Sequence, residues 1–415
     1  MSSRTSPLAL ATFVAGLSCG LAFSALAGPG SLGQFDVFSK AFSIIESRYV
    51  DQRESEDLIY DAIGGLTQGL DDHSVFLDPE AYRSLRDVTR GEYSGIGVDV
   101  LSEDGVIAIQ RVLPGSPADK AGLAVGDKIV SVDDTQLKTV GAAALVERIR
   151  GERGTVVLVG VLRTGAVAVL RFSVRRDNIK TASVFADRLP HDVLRLRVER
   201  FQRDTYEEVQ AALALAGGKD NLPVSGIILD LRANPGGYLS EAVELANLWI
   251  SSGSLVSTVG RSPSADRDLA TERGTDSNTP IAVLVDSRSA SAAEVLAGAL
   301  RDHGRARLIG YPTYGKASVQ QFFDLPDGSA LKLTTARYFT PAGHHIHGVG
   351  IAPDLLLGPR GSSQPDFGLD SLPGYSRGGS EQDQLDPEVG VALAWLSSPD
   401  RVDAWFGARA EASAE

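Results

Sequence analysis

Apolar positions recur at helical spacing from Leu32 to about Arg90, in runs such as FDVFSKAFSIIESRYV and LIYDAIGGLTQGL, and predict two or three short helices. They read as a helical cap or packing arm. LDDHSVFLDPEAY then supplies turn and N-cap residues ahead of another short helix. Between Ser94 and Lys180 the texture changes to short β runs, GIGVDV, VIAIQRVL, KIVSVDD, TVVLVGVLR and VLRFSVRR, broken by Gly, Pro and Asp. One helical stretch, TVGAAALVERIRG, interrupts them, and the pattern predicts a small β-rich module of ~90 residues.

From about Thr181 to Gly358 strands alternate with helices. VLRLRVERF precedes the helix DTYEEVQAALALAGG, the buried-looking strand SGIILDLR precedes the turn ANPGG, and YLSEAVELANLWI is again helical. The strand IAVLVD, the helix AAEVLAGALRDHG, the strand RARLIG and strands around ASVQQFFDL and ALKLTTARYFT complete an α/β core. GPRGSSQPDFGLDSLPGYSRGGSEQDQ, rich in Gly, Ser and Pro, reads as a flexible linker, and PEVGVALAWL as a last helical stretch closing the chain, whose end frays. No internal repeat is visible. The fold class expected is α/β (α+β) and multidomain.

The first 27 residues stand apart: Arg4 is their only charge, an apolar run extends from Leu8 to Leu26, and Ala25–Ala27 has the small-x-small form of a signal-peptidase site. This predicts a secretory signal cleaved after Ala27, with an uncleaved membrane anchor as the alternative because the run is just long enough to span. A lipoprotein anchor at Cys19 fits less well, since GLSC sets its leucine one position too close to the cysteine. Cys19 is the single cysteine and leaves with the signal, so disulfides, thiolate metal sites and cysteine nucleophiles are excluded from the mature chain. The 415 residues, 43% hydrophobic and 22% charged, have the make-up of a soluble globular protein with room for two or three domains. A net charge of −13, or −14 without Arg4, and the absence of a long basic block argue against nucleic acid as a main partner.

Candidate chemistry concentrates in DSRSASAAEVLAGALRDHGRARLIGYPTYGKASVQ, Asp286 to Gln320. After the strand IAVLVD, small residues at Ser289 to Ala293 allow a tight turn into a helix. SAAE is a capping box, with Ser291 as N-cap and Glu294 at the third helical position. A serine there also sits beside free backbone N–H groups and the positive end of the helix dipole, where developing negative charge is stabilised, so cap and nucleophile are compatible readings. A serine hydroxyl needs a base. None of the six histidines offers one at nucleophile-base spacing: His303 lies ~18 Å along the same helix, and His73 and His191 belong to other segments. In HHIH, His345 and His347 would share one face of a strand, two-thirds of a metal site without an obvious third ligand; the other reading is surface or core imidazoles.

Lysine replaces histidine as base when desolvation or a like charge lowers its pKa toward neutrality. Only 8 of the 40 basic residues are lysines, and Lys316, in PTYGKASVQQF, is flanked by small and aromatic residues that suit a partly buried amine; a surface turn lysine is the alternative. Gln320, four residues on, shares a strand face with Lys316 and could aim the amine through a hydrogen bond. RANPGG, 232–237, ends the neighbouring strand in two glycines. The backbone N–H groups of Gly236 or Gly237, with that of Ala292, could form an oxyanion hole, or the segment is a plain tight turn.

These residues carry a family likeness over nearly the whole mature chain. The chain resembles the carboxy-terminal processing (tail-specific) peptidases, peptidase family S41, PDZ-containing serine proteases with a serine–lysine dyad. LDDHSVFL resembles the family's leucine–aspartate–proline–histidine–serine motif, with Asp72 where proline is usual. GEYSGIGVDV and PGSPADKAGLAVGDKIVSVDD look like its PDZ module; DLRANPGGYLSEAV, SASAAEVLAGALRD, GYPTYGKASVQ and TTARYFTPAGHHIHGVGIAPD are similar to its core motifs, in order. The resemblance implies an N-terminal helical region (32–92) after the signal peptide (1–27), a PDZ domain (93–180), a ClpP/crotonase-like α/β peptidase core (181–358), a linker (359–384) and a C-terminal helical tail (385–415). The family's nucleophile stands three positions before the glutamate and 25 before the lysine, which implies Ser291 as nucleophile, Lys316 as base and Gln320 as the matching glutamine. Ala293 replaces a serine the family often has, and GKAS replaces the commoner Gly-Lys-Gly.

By the same resemblance the PDZ module binds a substrate's apolar C-terminus by strand addition, its carboxylate held around Gly95, Ile96, Gly97 and Val98, and Arg150 resembles a residue of a relay that switches the site on. Hydrolysis would pass through an acyl-enzyme, with no cofactor and no metal. The expected partners are protein or peptide substrates and an adaptor or activator protein, with a membrane tether if the signal stays uncleaved; the expected location is periplasmic or cell-envelope. A non-catalytic PDZ scaffold is the rival from another class, and it predicts a damaged dyad, whereas Ser291, Lys316 and Gln320 are all present. A latent peptidase opened by a partner is not separable from a constitutive one by sequence.

Overall fold

The computed structural model describes residues 31–412 except 91, 104–105, 218–223, 262–264, 272–275, 277, 360–370 and 375–385. The predicted signal and most of the predicted linker lie outside the described residues. The chain divides into two compact units, one formed by the N-terminal region up to Asp78 with Phe322–Leu333, the other by the remainder.

In the first unit the helical periodicity yields Ser31–Arg48 and Ser55–Gln68, followed by the short strand Val75–Leu77, which pairs antiparallel with Ala330–Lys332. Tyr60 packs on Phe76 with ring centroids 4.9 Å apart, and its hydroxyl donates to Asp327 at 2.9 Å. In LDDHS it is Asp71, not its neighbour, that organises the turn, accepting from the N–H groups of His73 and Ser74 and from the Ser74 hydroxyl.

The second unit opens with the helix Pro79–Arg90 and holds the β-rich module and the core. In the module, strands Val98–Glu103, Val106–Val112, Lys128–Val132, Val156–Leu162 and Leu170–Arg175 lie side by side in that order, each antiparallel to the next. Their alternation buries Ile107, Ile109, Val157, Val159 and Val161 in one cluster with Leu145 of the helix Ala142–Ile149. Val98–Glu103 is an edge strand. The helix Pro117–Ala121, capped by Ser116, was not apparent from periodicity because it is barely one turn long.

The core sheet runs Val184–Leu189, Val193–Val198, Gly226–Asp230, Ile281–Val285, Ala306–Gly310, Leu355–Leu356 in spatial order; the first pair is antiparallel and the rest parallel. The apolar runs GIILD and IAVLV are buried on both faces, as parallel strands are. Leu196, Ile227, Leu229, Val283 and Val285 point toward the helices Thr205–Ala216, Leu239–Asn247 and Ala292–Asp302. Val193, Ile228, Ala282, Leu284 and Ile309 point the other way, onto Val389, Val391, Ala392 and Ala394 of the helix Pro387–Ser397. The expected tail is therefore a wall of the core. PEVGVALAWL is apolar on nearly every side, and burying a valine or leucine contributes about 1.5–3 kcal/mol, so this helix is held against the sheet.

Candidate active site

Two neighbouring parallel strands, Gly226–Asp230 and Ile281–Val285, deliver their carboxyl ends together, with Asp230 opposite Leu284. Ligands of open parallel sheets bind beyond such ends. The loops that follow, Leu231–Gly237 and Asp286–Ser291, are stitched to each other. Ala290 N–H donates to the Asn234 carbonyl at 2.9 Å, Ala233 N–H to Asp286 Oδ1 at 3.0 Å, and the Ser289 hydroxyl to the Leu231 carbonyl at 2.8 Å. Burial opposes ionisation of Asp286, but the N–H groups of Ala233 and Arg288 and the Arg288 guanidinium outweigh it and hold the carboxyl below its ordinary value.

Ser291 ends the second loop at φ 57°, ψ −118°, a left-handed conformation rare for a residue with a Cβ, and the helix begins at Ala292. This is not the extended backbone of an ordinary N-cap. The capping glutamate is present all the same: Glu294, fully buried, accepts from Ser291 N–H at 2.9 Å. Its carboxylate does more than cap. The oxygen that takes Ser291 N–H also takes Lys316 N–H at 2.8 Å, and the other takes Gly315 N–H at 2.7 Å and the Thr313 hydroxyl at 2.5 Å. One side chain thus ties the serine elbow to the lysine turn, 22 to 25 positions apart along the chain.

Lys316 is half-buried, between the exposed Tyr314 and the buried Ala317. The Tyr338 hydroxyl, on the strand Ala330–Phe339, donates to the Lys316 carbonyl, and Tyr338 N–H donates to the Ala317 carbonyl at 3.1 Å. Burial, and after it the Glu294 charge, push the Tyr338 phenol well above its ordinary value, against the opposing hydrogen bond with the Ser291 hydroxyl. Neither Glu294 as a bridge nor Tyr338 was picked out from sequence; the only trace of the first was the SAAE spacing, and Tyr338 carried none. Gln320 lies on the strand Ser318–Asp324, where its amide donates to the Ser318 hydroxyl at 2.8 Å and carbonyl at 3.1 Å.

The two glycines of RANPGG differ in what they offer. Gly236 N–H donates to Asn234 Oδ1 at 2.8 Å and is engaged inside the turn, while Gly237 N–H and Ala292 N–H have no acceptor among the described residues. Both glycines have positive φ, 99° and 144°, and a Cβ would lie 2.7 Å from Ser291 Cβ at Gly236 and 2.0 Å from the Phe201 carbonyl oxygen at Gly237. Only glycine permits this approach of the turn to the serine. The available donors are thus Gly237 and Ala292, and Gly236 instead shapes the turn.

In the β-rich module Gly95 closes the strand Glu92–Gly95 opposite Asp177, and the Ile96 and Gly97 carbonyls accept from Ala118 and Leu113. Their N–H groups have no acceptor among the described residues, and Val98 begins the edge strand. Gly97, at φ 81°, packs so closely on Ser116 that a Cβ would come within 2.4 Å of it. Arg150 caps the end of the helix Ala142–Ile149, exposed, with its guanidinium 3.5 Å from Glu147. His345 and His347 sit in the turn after the strand Ala330–Phe339, not on a strand face, with ring centroids 6.1 Å apart. No group of three His, Cys, Asp or Glu suited to a metal occurs among the described residues.

Comparison with known proteins matches residues 192–357 to peptidase family S41 and residues 84–161 to the PDZ domain. A carboxy-terminal-processing protease of Bartonella bacilliformis is 37% identical over 325 residues, 77% of this chain and 74% of the relative. The carboxy-terminal processing protease CtpA of Bacillus subtilis is 34% identical over 323 residues, 78% of this chain and 68% of the relative. Among solved structures, the photosystem II D1 C-terminal processing protease is 30% identical, with 77% of this chain and 92% of that one covered at a TM-score of 0.46.

Proposed function

Because the chain belongs to peptidase family S41 and is a serine-type peptidase with a PDZ domain, we propose that it cleaves protein substrates near their C-termini with Ser291 as nucleophile and Lys316 as base. The observation that carries this reading is the Glu294 carboxylate, which holds the backbone of both residues at once. Neutral Lys316 takes the Ser291 hydroxyl proton as the oxygen attacks the scissile carbonyl. Gly237 and Ala292 N–H groups receive the oxyanion, each such donor being worth about 3 kcal/mol in the transition state. Collapse expels the leaving amine, protonated by Lys316, and leaves an ester on Ser291; Lys316, neutral again, deprotonates the water that releases the carboxylate product and the serine. Gln320, on the strand that directly follows Lys316, aims the amine.

Substrate recognition falls to the PDZ domain, with the chain end added to the edge strand Val98–Glu103 and its carboxylate at the N–H groups of Gly95, Ile96, Gly97 and Val98. Apolar C-termini, an activating or adaptor protein and a relay through Arg150 complete the proposal on the strength of the family resemblance. The apolar leader supports an envelope location, periplasmic or tethered. The test is incubation of the mature protein, with Ser291→Ala and Lys316→Ala controls, with an unfolded protein bearing an apolar C-terminal tail, products being read by mass spectrometry. Cleavage abolished in both variants is expected; cleavage persisting in either sinks the dyad, and none by any form under activating peptide favours a scaffold.

A further inference from the structure

The turn that offers Gly237 N–H is held on one side by the serine loop. On its other side it is held by a part of the chain that no catalytic role has yet touched. The Arg232 guanidinium, only 19% exposed, donates from Nε and Nη2 to both oxygens of Asp230 at 2.8 and 2.6 Å. It donates from Nη1 and Nη2 to both oxygens of Asp386 at 3.1 and 2.9 Å, and from Nη1 to Glu388 at 3.1 Å. Those contacts engage all five of its N–H donors. Asp386 also accepts Val389 N–H at 2.9 Å as the N-cap of the helix Pro387–Ser397, so that helix begins at the cluster.

We propose that Arg232 is a positioning residue for the oxyanion turn, clamped from the C-terminal helix by Asp386 and Glu388. This rests on the reading of Gly237 and Ala292 as oxyanion donors. Apolar packing already fixes the helix on the sheet through Val389, Val391, Ala392 and Ala394, so the helix does not need a buried ion cluster to stay docked. Buried ion pairs contribute little net stability after desolvation, and their best-attested use is to select one geometry. Here the geometry selected is that of the turn. Arg232 is pinned through its side chain and through its own N–H, which donates to Asp230 at 3.2 Å, and the next residue, Ala233, holds a left-handed φ of 58°. An arginine released from the acids would let that strained step relax, and Gly237 would move with it. Burial opposes the charge of Arg232, and the flanking carboxylates outweigh it, so the guanidinium is a permanent cation at the base of the turn.

The test compares Arg232→Met, Asp386→Asn and Glu388→Gln in the mature chain, the last two nearly isosteric and kept as the measure should the first fail to fold. Four readouts are taken: kcat and KM on a tail-bearing substrate, inhibition by a peptide aldehyde that forms a tetrahedral adduct with Ser291, binding of a C-terminal peptide to the PDZ domain, and thermal unfolding. Removing an oxyanion donor costs ~10²–10³ in kcat, and misplacing one costs less, so the expected loss is about 10- to 100-fold for Arg232→Met and smaller for the acid variants. Aldehyde affinity is expected to fall in proportion, with KM and C-terminal peptide binding within about twofold of wild type. Folded variants with wild-type kcat and aldehyde affinity overturn the clamp, as does a kcat loss that leaves aldehyde affinity untouched. Wild-type protein without Ser291-dependent cleavage overturns the peptidase reading itself, and the clamp with it.

Discussion

Replacement of Glu294 by glutamine keeps the shape of the side chain and removes one acceptor oxygen. The carboxylate is fully buried and receives four donors: the N–H groups of Ser291, Gly315 and Lys316 and the Thr313 hydroxyl. If the oxygen shared by Ser291 and Lys316 becomes the amide nitrogen, both N–H groups face another donor; if the other one does, Gly315 N–H faces a donor while the Thr313 hydroxyl can turn to accept. Hydrogen bonds to a charged group contribute about 1.5–3 kcal/mol each, and a buried donor left unpaired costs about 1–3 kcal/mol. Offset by the desolvation that the neutral amide no longer suffers, the expected net loss is about 3 kcal/mol. At ~2–4 °C per kcal/mol for a domain of 150–250 residues, thermal unfolding should shift down by about 6–12 °C. Activity should fall further than stability implies, because the same oxygen holds Ser291 and Lys316, and a displacement of about 1 Å between reacting groups costs ~10²-fold. The assay pairs calorimetric unfolding with kcat at a temperature where the variant is folded. A variant that loses less than about 1 kcal/mol and keeps kcat within about threefold of wild type would refute the bridge as the device that assembles the site.

Gly237→Ala puts a Cβ 2.0 Å from the Phe201 carbonyl oxygen at a φ of 144°, so the turn must move; kcat should drop by at least ~10²-fold while C-terminal peptide binding is kept, and wild-type turnover would contradict the donor assignment. Tyr338→Phe keeps the ring and removes the donor to the Lys316 carbonyl and the partner of the Ser291 hydroxyl; a stability loss of about 1 kcal/mol and a kcat loss of about tenfold are expected from denaturant titration and steady-state kinetics. For Asp286, whose folded pKa is depressed, the stabilisation is present above the unfolded value of about 3.9 and is lost as pH falls through the lower folded value. Asp286→Asn should therefore be less stable than wild type at neutral pH and converge with it as pH falls below about 4; parallel stability curves down to pH 2 would exclude that role.

What the sequence determined by itself was local. Apolar runs of five to seven residues announced the buried strands, the serine and glutamate spacing announced a helix start, and paired glycines announced a turn, because each is set by neighbours within about one helical turn or one strand. Long motifs in a fixed order carried the family likeness for the same reason, since each is a local structure with its chemistry attached. Only the tertiary structure decided how these pieces share their polar groups. Glu294 could be read as a cap, but its bonds to Thr313, Gly315 and Lys316 depend on a strand and a helix folding back between them. The choice between Gly236 and Gly237 followed from Asn234 turning its side chain inward, and Tyr338 reaches the lysine turn from the edge of another strand. The helix Pro387–Ser397 looked like part of a tail because nothing in its neighbours names the sheet face it covers. Hydrogen-bond partners and buried faces belong to pairs of segments, and the distance between those segments along the chain hides the pairing until the chain is folded.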